Sequence, residues 1–154
     1  MILLFGCEEK EKRDFNFIFK YGYGAKNELN TFEDTYLKYM GKDPVTKVEM
    51  KLLSSDFEII AKKMIEINFY DYPDHFAIKA PEGEAGLSIV PYQSYYFKVQ
   101  KGDQVKEVWW DDNIKYESKK AEKLRDLINT IIEIIRSKDV YKNIIEPTNA
   151  PRPI

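Results

Sequence analysis

His75 is the sole histidine and Cys7 the sole cysteine in 154 residues. A Ser-His-Asp triad would have to run through His75, and no G-x-S-x-G elbow accompanies it. Asp71, Asp74, His75, Glu82 and Glu84 gather carboxylates and one imidazole in an irregular stretch. Calcium takes about six to eight oxygens from a tight loop, and the D-x-D-x-D-G spacing is missing. A solvated acidic loop has the same composition, so neither a metal nor a cofactor is expected. One Cys also excludes an intramolecular disulfide and a thiolate zinc cluster.

The string Trp109-Trp110-Asp111-Asp112-Asn113 is the most unusual in the chain. Neighbouring residues on a strand point to opposite faces, so one Trp belongs to the core and the other to an outer face or edge. An exposed Trp beside carboxylates has the composition of a carbohydrate or other ligand platform. It is also the composition of a strand end followed by an acidic turn. The adjacent carboxylates Glu33-Asp34 and Asp111-Asp112 diverge on a strand, so neither pair alone makes a glycosidase dyad. The candidate ligand site is therefore Asp71, Asp74, His75, Trp109, Trp110 and Asp111, with no catalytic residue assigned. A hydrolase-like enzyme would need carboxylates meeting across the sheet, from Asp71, Asp74 or Asp111.

The length suits one domain. Lys and Arg total 24 against 26 Asp and Glu, a formal charge of -2. That balance argues against nucleic acid as a partner, since such binders usually show a basic excess. Aromatic residues at 14% bring enough buried area per side chain for a core without staples.

The alternation Phe15, Phe17, Phe19, Tyr21, Tyr23 predicts a first strand over 15–23, and Ala25–Asn30 reads as a turn or loop. Thr31–Met40 and Thr46–Leu52 read as two more strands, separated by the turn Gly41-Lys42-Asp43-Pro44. Ser55 with Glu58 has capping-box spacing and predicts a helix to about Phe69. Phe76–Lys79 and Leu87–Val90 read as short strands in an irregular stretch. Tyr92–Gln100 and Gln104–Trp110 read as a hairpin around Lys101-Gly102-Asp103, with a polar connection over Asp111–Tyr116. Ser118 caps a long amphipathic helix to about Ser137, and Val140–Ile145 can add a turn. Strands in runs with short connections favour antiparallel pairing. The expected fold is α+β: a single antiparallel sheet of about five strands, with two helices packed on one face, in the order βββα-ββα. Residues 1–14 read as a truncated signal and tether, 15–146 as the domain and 147–154 as a flexible Pro-rich tail.

Leu4-Phe5-Gly6-Cys7 resembles a bacterial lipobox, with Phe5 standing where a small or β-branched residue is commoner. Met1–Phe5 are shorter than a signal's apolar region, so this reading expects an upstream start or a trimmed sequence. The resemblance implies a lipid anchor on Cys7, followed by a charged tether over Glu8–Asp14. Asn30-Thr31-Phe32 with Thr35-Tyr36, Lys38 and Met40 resembles a segment of uncharacterised small proteins and lipoproteins of low-GC bacteria. That likeness implies an exported small domain and no chemistry. The leading expectation is a non-enzymatic lipoprotein of the cell envelope, acting as a binding or inhibitory module. It would meet a membrane through Cys7 and an unknown protein or small ligand through the domain. A cytosolic protein-interaction domain is the alternative, and the hydrolase-like enzyme comes third.

Overall fold

The alternating aromatics of Phe15–Tyr21 form strand β1, the centre of the molecule. The computed structural model describes residues 13–145. Around β1 lie β2 (Asn27–Asn30), β3 (Thr35–Lys38), β4 (Thr46–Glu49), α1 (Ser54–Glu66) and β5 (His75–Phe76). They are followed by β6 (Leu87–Lys101), β7 (Gln104–Lys115), α2 (Lys119–Ser137) and the single turn α3 (Asp139–Lys142). The fold is α+β, with a seven-stranded sheet in the order β4-β3-β2-β1-β6-β7-β5.

The expected sheet of about five antiparallel strands is corrected in number and in direction. All pairings are antiparallel except β5 with β7, which is parallel. After α1 the chain returns along the far edge of the sheet in the direction of β7, and Trp109 N–H donates to the Asp74 carbonyl there at 2.7 Å. The helix count rises from two to three because Asp139–Lys142 forms its own turn beyond Lys138.

The strand missing from the sequence reading is β2, in the stretch read as a loop. Its only large apolar residue is Leu29, which is fully buried. Side-chain bonds stand in for strand propensity here: Asn27 Nδ2 donates to the Tyr21 carbonyl, and Asn27 Oδ1 accepts from Tyr39 N–H. The strand expected over Thr31–Met40 is broken by a turn. Asn30 Oδ1 accepts from the Phe32 and Glu33 amides, and Asp34 adopts the left-handed φ of 53°. Helix α1 starts one residue before the expected cap. Leu53 holds the cap position and its N–H donates to Asp56 Oδ2, so the carboxylate at N3 acts without a capping hydroxyl. The helix ends ahead of Pro73, where Asn68 turns left-handed. The expected connection over Asp111–Tyr116 is instead strand as far as Lys115, because Leu87 and Ser88 pair with Lys115 and Ile114.

Both long helices share the core with one face of the sheet. Ile60 and Met64 of α1, and Leu124, Leu127, Ile128 and Ile131 of α2, pack with Phe17, Phe19, Leu29, Tyr36, Phe97, Val108 and Trp110. The ion pairs Lys63–Asp126 at 2.5 Å and Lys138–Asp56 join α1 to α2 and its C-cap. At the amino-terminal side, Arg13 donates to Asp34 Oδ1 at 3.2 Å and lies 4.5 Å from the Phe57 ring centre. The Asp14 carbonyl accepts from Gly102 N–H at 2.9 Å, so the chain enters the domain beside the β6–β7 turn.

Candidate functional site

The sheet's second face is covered by no described element. Because strand side chains alternate, every residue skipped by the core in β1, β2, β3, β6 and β7 emerges there. Register turns them into rows. One row crosses all seven strands: Lys47, Leu37, Glu28, Lys20, Tyr96, Trp109 and His75 stand successively opposite one another. It holds the single histidine and the outer tryptophan side by side. The Tyr96 and Trp109 ring centres are 5.8 Å apart, and Lys20 Nζ lies 5.6 Å from the Tyr96 centre. Lys20 also pairs with Glu28 at 3.5 Å. Tyr96 Oη donates to Glu107 Oε1 at 2.8 Å. Burial, and after it that bond, push the Tyr96 hydroxyl up to about 12, so it stays a donor at neutral pH.

The six candidate residues separate in space. His75, Trp109 and Asp111 point to the open face. Asp111 accepts from Ser94 Oγ at 2.6 Å, which spends one of its carboxylate oxygens on the neighbouring strand. Trp110 faces the core at 1% exposure, between Phe76 and Tyr95 and under the Arg125 guanidinium. Its Nε1 has no hydrogen-bond partner. Arg125 is held there by two bonds to Asp112, of 3.0 and 2.8 Å. Asp74 pairs with Lys106 at 3.0 Å, at the margin of the helix-covered side. Asp71 lines a small hollow of about 180 Å³ with Ile67, Asn68, Tyr72, Lys120 and Lys123. Asp74 and Asp111 thus bond to different partners, Asp71 lines a hollow apart from both, and the sheet does not bring the three onto one bond. Among the described residues no group of three or more His, Cys, Asp and Glu is placed to hold a metal ion. No described helix is long and apolar enough to cross a membrane. Cys7 and most of its tether lie outside the described residues.

The sequence reading missed Tyr96, Lys20 and Glu107 as members of this surface. The signal was present in the second parity of each strand, where Lys20 and Tyr96 alternate with core aromatics. Only register places them in line with His75. What the surface offers is two aromatic rings with a hydroxyl, an ammonium, an imidazole and a carboxylate at their edges. Such a set can stack a flat apolar face and bond its polar rim.

No protein-family model matches the chain, and a search of curated proteins finds no significant match.

Proposed function

We propose that this chain is a non-enzymatic binding module of the cell envelope, held at a membrane by lipid on Cys7, with saccharide as the ligand of its open sheet face. The observation that carries the reading is the half-buried Trp109–Tyr96 pair, set in a row that joins all seven strands. Sugar rings present a C–H face that stacks on aromatics and an edge of hydroxyls that needs donors and acceptors. Trp109 and Tyr96 supply the first partner; His75, Lys20 and Glu107 supply the second. The lipobox-like Leu4-Phe5-Gly6-Cys7 supports the location.

Two experiments test it. Trp109 is the outer of two tryptophans, so its emission reports on the platform. Titration with soluble N-acetylglucosamine and glucose oligomers should shift that emission at saturable concentration, and Trp109→Ala should abolish the shift. No response to either series would remove the saccharide reading. For location, the wild type expressed from its natural start should sediment with membranes and Cys7→Ala should not. A soluble wild type would favour the cytosolic interaction domain instead.

A further inference from the structure

Strand β6 outruns the sheet. Its partner β1 reaches only as far as Tyr96, and Ser94 N–H makes a last bond on that side, to the Gly22 carbonyl at 3.0 Å, so the stretch from Leu87 to Gln93 has strand pairing on one side alone, with β7. The resulting two-stranded ribbon has one irregularity. Between the paired positions Ser88 and Gln93, the residues Ile89, Val90, Pro91 and Tyr92 stand opposite Asn113 alone. Such a bulge ends regular pairing and throws side chains outward. Val90 is 86% exposed, Leu87 69% and Tyr92 38%. No charged residue occurs from Ala85 to Phe97, in a chain that is 32% charged. Solvated strands normally carry Lys or Glu to keep neighbours away, and this part of β6 carries none before Lys98.

The geometry points to the Leu87–Tyr92 bulge as a docking finger that inserts into an apolar cleft of a partner protein. Area decides against a second copy of the chain. Leu87, Val90, Pro91 and Tyr92 expose on the order of 400 Å², the scale of the largest patch on an ordinary monomer and about half of what each side of a stable flat interface buries. A concave partner closes on a finger from several sides and gains more contact from the same residues than a flat one. The chain's entry point argues against a lipid surface. Asp14 is tied to Gly102 at the opposite end of β6, on the order of 35 Å from Val90 at the rise of an extended strand. The proposed lipid anchor, upstream of Asp14, would hold the finger away from its own membrane, and the exclusion of a lipid surface rests on that anchor. At the base of the bulge, Tyr116 donates to Glu84, with Glu82 and Glu117 nearby in sequence against Lys115. The cleft's rim should accordingly carry Lys or Arg. This surface is separate from the saccharide face and does not depend on it.

The test uses the full chain in its own cells, with a photo-crosslinking phenylalanine analogue in place of Val90 and, as a control, in place of Ile59, which is exposed on α1. The expected result is one discrete protein adduct from position 90 and none from 59. The identified partner, purified, should bind the wild type and lose at least about tenfold in affinity with Val90→Asp, while Ile59→Asp binds normally. Both variants change exposed side chains, and matching circular dichroism spectra and melting temperatures establish that they fold. An adduct only with a second copy, with the chain itself or with lipid overturns the inference. So does the lack of any adduct, or equal binding by Val90→Asp.

Discussion

Two neighbouring residues on one strand, Trp109 and Trp110, share composition and local propensity and end in opposite environments. Trp110 is fully enclosed by Phe76, Tyr95 and the Arg125 guanidinium. Trp109 lies across the sheet beside Tyr96 and His75, and is half-buried. The same split runs through β1, where Phe17 and Phe19 are sealed under the helices while Ile18 and Lys20 are half-buried opposite them. The covered face is stabilised by area removed from water, and each ring there touches others, as Phe19 does Phe97 at 4.9 Å. The open face is held by cross-strand pairs, each a fraction of that size. One face therefore has stability to lose, and the other has ligand contacts to lose.

The largest expected effect comes from emptying the covered face. Trp110→Ala should cost about 3–5 kcal/mol in urea denaturation, the usual cost of truncating a buried Trp. A loss near that of Trp109→Ala would erase the distinction between the faces.

Next comes the clamp at the chain's entry. Arg13→Ala withdraws a guanidinium from Asp34, which is 6% exposed, and from the Phe57 ring. It should cost about 1–3 kcal/mol, as removing a charged partner from a buried group does. A denaturation midpoint unchanged from wild type would show that the clamp is ornamental.

The buried tyrosine pair should give a pH signature. Tyr21 and Tyr36 bond hydroxyl to hydroxyl at 2.6 Å. Burial raises both, Tyr21 to about 12 and Tyr36 further. The folded state thus favours the neutral hydroxyls. Their contribution is complete below the unfolded value of about 10 and is lost as pH climbs toward and beyond the folded values. Denaturation midpoints measured from pH 7 to 12 should fall on the alkaline limb, and Tyr36→Phe should make that fall shallower. Identical limbs would mean that the pair does not titrate with unfolding.

The smallest effect on stability is expected from Trp109→Ala, below about 1 kcal/mol, the size of one cross-strand pair. Its consequence should appear in saccharide titration instead. A large stability loss with oligosaccharide binding retained would reverse the roles of the two tryptophans.

Much of the covered face is legible in the residue pattern. Alternation in Phe15–Tyr21 and in Tyr95–Val99, and the apolar stripe of α2 behind Ser118, mark residues that must leave water, and period alone selects them. The same parity requires Trp109 and Trp110 to part company, although it does not say which of them goes inside. Strand β2 is not legible, because Asn27 holds its place through side-chain bonds to the Tyr21 carbonyl and the Tyr39 amide, which exist only once the chain has folded. The short strand read over Phe76–Lys79 forms only as His75–Phe76, and its parallel pairing with β7 is hidden for a related reason: two residues carry no periodicity, and their pairing is a long-range event.

Local patterning thus determined which side chains are apolar in phase and so which segments pair or coil. Tertiary structure alone decided register and direction. Those set His75 against Trp109, put Asp71, Asp74 and Asp111 in separate surroundings, and left Leu87–Tyr92 beyond the end of β1. The physical reason is that hydrophobic burial depends on how much surface is covered, which composition and period encode. The alignment of one strand against another depends on contacts between residues far apart in the chain.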